Sequence, residues 1–171
     1  DQTEKIQSIK KGLQKLQDDR VVIDVFKQLG MHPDFIKVMD LITSKADEQV
    51  TLDDQQVVQS FLNTLVSKKD LFQNINSKTV DMFVGKLSRV LQQHFSELSP
   101  KELADFFSQV STMKKEAFNN QSKKSGSSIS ERKNLGKGMM SSQGDIFGIM
   151  IGLSFIGAIF EFITQMANQN Q

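Results

Sequence analysis

Cysteine, tryptophan and tyrosine are absent from this chain, and its 171 residues include only two prolines and two histidines. Without cysteine there is no disulfide, no thiolate metal site and no cysteine nucleophile. The compartment stays open, because cysteine-free proteins occur on both sides of a membrane. Phenylalanine supplies all 13 aromatics, so the tryptophan and tyrosine belts that flank many spanning helices are missing. A charge excess is missing too. Lysine and arginine number 21 against 20 acidic residues, a net charge of +1, which gives no general attraction to nucleic acid.

Catalytic patterns are equally scarce. No GxSxG, Walker-type loop, HExxH or dinucleotide fingerprint occurs. "GKGMMSSQGD" has glycines and a lysine, but not at the spacing that cradles a phosphate. His32 and His94 are far apart and lack companion ligands, so no metal is expected and both read as surface or helix-end residues. Asp18-Asp19 and Asp53-Asp54 are adjacent pairs that point about 100° apart on a helix, which suits helix starts better than paired acid–base work. Asn120-Gln121-Ser122 is a glycosylation sequon that matters only in a secreted chain. No cofactor and no enzymatic activity are expected.

What the chain does have is helical periodicity. Over residues 1–118 apolar positions recur at three- and four-residue spacing without sustained alternation. Ile6, Ile9, Leu13 and Leu16 form one stripe, broken at Asp18-Asp19-Arg20 and resumed by Val22, Val25, Phe26 and Leu29. Gly30 reads as a helix stop and Pro33 as the first turn of the next helix, which carries Phe35, Ile36, Met39 and Ile42. A further helix is predicted from about Asp53, and another from an N-cap at Ser77. Ser99-Pro100-Lys101-Glu102 is a capping box with proline at the first helical position. The expectation is an all-α fold, a compact bundle of about five short amphipathic helices.

Residues 119–143 change character. Serine, asparagine, glycine and lysine dominate, which predicts a flexible basic linker. Lys123, Lys124, Arg132, Lys133 and Lys137 are candidate contacts for anionic lipid headgroups. Residues 144–171 then form an apolar helix with a short polar tail. From Ile146 to Ile163 only Ser154 and Glu161 are polar, and eleven of the eighteen residues are Ile, Leu or Phe. Eighteen helical residues span roughly 27 Å, close to the ~30 Å hydrocarbon core of a bilayer.

Two sectors of that helix stand out. Gly144, Gly148 and Gly152 form a small-residue ridge of the kind that lets membrane helices approach closely. Ser154, Gly157, Ala158, Glu161, Thr164 and Gln165 gather nearly opposite, a polar face turned from lipid toward a partner. The functional expectation is therefore a non-enzymatic, membrane-associated interaction protein, anchored or oligomerised through this helix. Its partners would be a lipid bilayer or an apolar partner helix, as a homo-oligomer or with another protein, and no nucleic acid. If the helix spans, the positive-inside tendency keeps the bundle cytoplasmic. Alternatives are a soluble or secreted scaffold or lipid carrier that buries the helix among the others, and a membrane-inserting pore-former.

Overall fold

A computed structural model of the chain describes residues 2–45, 49–122 and 147–169. Among the described residues eight α-helices run in order: α1 Gln2–Asp18, α2 Arg20–Gln28, α3 His32–Ser44, α4 Leu52–Ser67, α5 Lys69–Phe72, α6 Ser77–Phe95, α7 Pro100–Ser122 and α8 Phe147–Gln169. The described residues contain no strand. The fold is a compact all-α bundle with α8 at its centre.

Local chemistry sets most of the boundaries. Asp19 stops α1 and caps α2, its carboxylate accepting from the amides of Val21 and Val22 at 2.9 and 3.3 Å. Gly30 follows α2 with φ of 70°, the left-handed conformation that the stop position requires. Thr51 and Asp54 form a capping box at the start of α4. Asn76 rather than Ser77 caps α6, and Ser77 is the first helical residue. At α7 the expected box is present: Glu102 accepts from the Ser99 amide at 2.9 Å and donates its own amide to Ser99 Oγ at 3.2 Å. The helix then runs to Ser122, so the first residues of the serine- and lysine-rich stretch are helical. The one-turn α5 has no periodic signal of its own, being too short to show one.

With neither tyrosine nor tryptophan, the core is built on phenylalanine. Phe26 of α2 stacks on Phe35 of α3 with centroids 4.2 Å apart and meets the edges of Phe61 and Phe83 at 5.6 and 5.7 Å. Phe61 of α4 in turn meets Phe155 of α8 at 5.3 Å. Five helices are thus tied through one line of rings carrying no polar atom. Aromatic pairs of this geometry add about 0.5–1.5 kcal/mol each beyond the area they bury.

Candidate functional site

The apolar helix is where the sequence concentrates its functional information, and its setting is specific. Met150 to Ile159, ten consecutive residues, are all buried. At 3.6 residues per turn this is nearly three turns covered on every side. The cover comes from α7 and α6, with α3, α4 and α1 closing the remaining faces. Met150–Asn168 is nonetheless long and apolar enough to cross a membrane.

The glycine ridge is placed only in part. Gly144 lies outside the described residues and Gly148 falls in the first turn of α8. Gly152 faces α3 and α1: a β-carbon there would overlap Ile42 Cγ2 and lie 3.0 Å from Leu13 Cδ1. Its missing side chain is what lets two helices of the same chain close on α8. Gly157, on the other side, does the same for α7, where a β-carbon would sit 2.8 Å from Val110 Cγ2 and 2.9 Å from Phe106 Cζ.

The polar sector turns toward α7. Ser154 is fully buried, and its hydroxyl lies 3.4 Å from Gln109 Oε1, itself buried in α7. Glu161, at the bundle surface, has Lys114 of α7 at 4.0 Å, an exposed pair worth little to stability. Thr164 Oγ1 is buried without a partner, and Gln165 is exposed. The five basic residues expected at headgroups, Lys123, Lys124, Arg132, Lys133 and Lys137, lie outside the described residues.

Three carboxylates elsewhere pair with lysines and help to hold helices together. Asp19 pairs with Lys86 of α6 at 3.0 Å, Asp54 with Lys45 at 2.5 Å, and Glu102 with Lys5 of α1 at 2.8 Å. Each carboxyl is pulled two ways. Partial burial works to raise the pKa of all three. The lysine hydrogen bonds outweigh it, together with bonds from Val22 and Val21 at Asp19, from Thr51 at Asp54 and from Ser99 at Glu102. All three are held below the ordinary carboxylate range. Asp19, Asp53 and Asp54 therefore stand at helix starts, while Asp18 is the last residue of α1.

His94 is the polar residue whose setting the sequence reading missed. It lies in the last turn of α6, at a helix end as expected, but is wholly buried. Its Nδ1 lies 3.3 Å from Glu97 Oε2, while Ser8 donates to Glu97 Oε1 at 3.3 Å. Hydroxyl, carboxylate and imidazole meet here, but the carboxylate sits between the other two. A nucleophile relay needs the imidazole in that middle place, so the cluster is a tie between α1 and the α6–α7 corner. Gly12, three and four residues from Ile9 and Ser8 on α1, was the available signal: a glycine inside an amphipathic helix marks a close approach. His32, at the start of α3, has a buried Nε2 with no partner. Among the described residues no three His, Cys, Asp or Glu side chains gather as a metal group. No protein-family model, no curated protein and no solved structure matches this chain.

Proposed function

We propose that this chain is a non-enzymatic helical interaction protein whose C-terminal apolar helix serves as the core of its own bundle rather than as a standing membrane anchor. The observation that carries the reading is the uninterrupted burial of Met150–Ile159. A helix standing in lipid exposes most of its circumference, and this one has none free over that stretch. The pairing of Ser154 with Gln109 supports it further, because the buried hydroxyl already has an acceptor inside the chain. In this reading the outer faces of the amphipathic helices are the surface offered to protein partners or to a second copy.

A second reading is favoured by the length and composition of Met150–Asn168: the bundle carries a membrane-competent helix and releases it at a bilayer. The basic residues Lys123, Lys124, Arg132, Lys133 and Lys137 precede that helix, and each well-placed cation adds about 1 kcal/mol at an anionic surface.

Carbonate extraction from native cells and flotation of the purified full chain with anionic vesicles test both. The first reading expects release by carbonate, a monodisperse species without detergent, and no flotation. Solubility in plain buffer combined with flotation and vesicle leakage supports the second reading and overturns the first. Retention in the membrane pellet after carbonate overturns the first as well, and supports a permanent anchor.

A further inference from the structure

Glycine inside a helix weakens it, because the freer backbone loses more on folding. Gly12, Gly152 and Gly157 have a structural reason to be there: at each, a β-carbon would lie within 3.0 Å of another helix of the chain. Gly85, in the middle of α6, has no such neighbour. A β-carbon there would meet nothing within 4 Å among the described residues. Gly85 is exposed, as are Lys78, Asp81, Met82, Arg89 and Gln92. At 100° per residue these five lie within about 60° of Gly85, on one outward face of α6. The opposite face carries Val80, Phe83, Leu87 and Val90 into the core.

The side chains around this bare spot are arranged with a definite order. Met82, one turn before Gly85, is 47% exposed, an apolar surface left in water. Asp81 stands four residues before Gly85 and Arg89 four residues after it. Neither has an ion-pair partner among the described residues. Lys86, at the edge of this face, is engaged with Asp19. Along the face the order is therefore acid, glycine, base, with the two charges placed symmetrically about the glycine.

We propose that this face pairs with the same face of a second copy, two α6 helices crossing antiparallel with Gly85 upon Gly85. The pairing rests on the reading above, in which α8 is internal and the outer helical faces take the partners. Charge complementarity selects both the occupant and its direction. In an antiparallel two-fold pair, a residue a given number of positions before Gly85 comes opposite the residue the same number after it in the other copy. Asp81 then faces Arg89 and Arg89 faces Asp81, each roughly 6 Å along the helix from the crossing. Met82 comes opposite Ser88, beside the Arg89 stem, and Lys78 comes opposite Gln92, so no like charges meet. A parallel pair would set Asp81 on Asp81 and Arg89 on Arg89, which is unfavourable. The bare surface at Gly85 lets the two backbones approach closely, and that approach takes Met82 out of water.

Sedimentation equilibrium of the full chain in plain buffer, from about 10 µM to about 1 mM, tests this. One helix pair is a small interface, under the roughly 1,200 Å² of stable complexes, so a reversible dimer is expected. Raising sodium chloride from about 0.05 M to about 0.5 M should weaken it. Asp81→Arg and Arg89→Asp should each raise the dimer Kd at least about fivefold, the scale of two exposed pairs lost. The two substitutions move the net charge in opposite directions, so general repulsion cannot produce both losses. An equimolar mixture of the two variants should recover association, and so should both exchanges in one chain. Gly85→Leu should abolish the dimer while keeping or raising the melting temperature, because leucine is the better helix former and has open space there. A misfolded chain would lose both. A chain that stays monomeric throughout overturns the pairing, and a dimer indifferent to the charge exchanges or to Gly85→Leu overturns its place on α6. Neither result touches the burial of α8, whose own failure shows as carbonate-resistant membrane retention or vesicle flotation.

Discussion

Gly12 of α1 and His94 of α6 share one space: a β-carbon on Gly12 would stand 2.5 Å from His94 Nε2. The imidazole is wholly buried and held on its other side by Glu97, so it has little room to retreat. Gly12→Ala should therefore destabilise the fold by about 1–3 kcal/mol, the usual cost of forcing atoms into a packed core, although alanine is the better helix former. His94→Ala removes the obstacle. In that background Gly12→Ala should cost nothing or stabilise slightly, and a double-mutant cycle by urea denaturation reads the coupling. Additive effects of the two substitutions would mean the residues do not touch.

Gly152 offers a test that separates two uses of the same notch. Its β-position is occupied by Ile42 of α3 and approached by Leu13 of α1. Gly152→Leu should thus destabilise the isolated chain in plain buffer by more than about 3 kcal/mol, because both neighbours belong to the buried core. Substituting Ile42→Ala as well should recover part of the loss. If the glycine instead serves a second membrane helix, thermal stability in buffer stays put and only crosslinked oligomers in bilayers disappear.

These two glycines show how far the residues alone carry the argument. Helical periodicity is local, so every helix but the one-turn α5, the Asp19 break, the Gly30 stop and the Ser99–Glu102 box were legible. The polar sector at Ser154 and Glu161 was legible as an angle on a wheel, and that angle does face another helix. The identity of the partner was not. A small-residue ridge looks the same whether it receives a lipid-embedded helix or α1 and α3 of its own chain. Gly157 shows the limit most clearly: grouped with the polar side, it is the notch that admits Phe106 and Val110. The burial of His94, though not its place at a helix end, escaped the sequence for a related reason, since burial of an isolated histidine depends on what crosses it, and Gly12 lies 82 residues away.

Acid should loosen the bundle at three identifiable points. Asp19, Asp54 and Glu102 have folded-state pKa values below the ordinary range. A depressed carboxyl contributes stability that is complete above the unfolded-state pKa and lost as pH falls through the folded one. Stability measured by urea midpoint should therefore decline from the ordinary carboxylate range downward. Asp19→Asn, Asp54→Asn and Glu102→Gln together should flatten that decline while lowering stability at neutral pH. Each residue also caps a helix, and because the amide oxygen of Asn or Gln still accepts there, the loss at neutral pH comes from the charge paired with Lys86, Lys45 and Lys5. An unchanged acid profile in the triple variant would remove these three carboxyls as its source.

Truncation at Ser122 asks the sharpest question of α8. Nine large apolar side chains of that helix, among them Phe155, Ile156, Ile159 and Ile163, are no more than 3% exposed. At about 1.5–3 kcal/mol each, their burial amounts to roughly 13–27 kcal/mol as an upper figure. A whole domain retains only about 5–15 kcal/mol of net stability. Removing α8 also uncovers the facing sides of α1, α3, α4, α6 and α7, and no refilling of that space is available from the remaining helices. A chain ending at residue 122 should keep helical far-ultraviolet dichroism, bind a hydrophobic dye and lose cooperative unfolding. Supplying residues 147–169 as a separate peptide should restore the cooperative transition. A truncated chain that melts sharply, with the midpoint of the intact protein, would instead identify residues 2–122 as a self-sufficient domain and α8 as an appendage free to enter a bilayer.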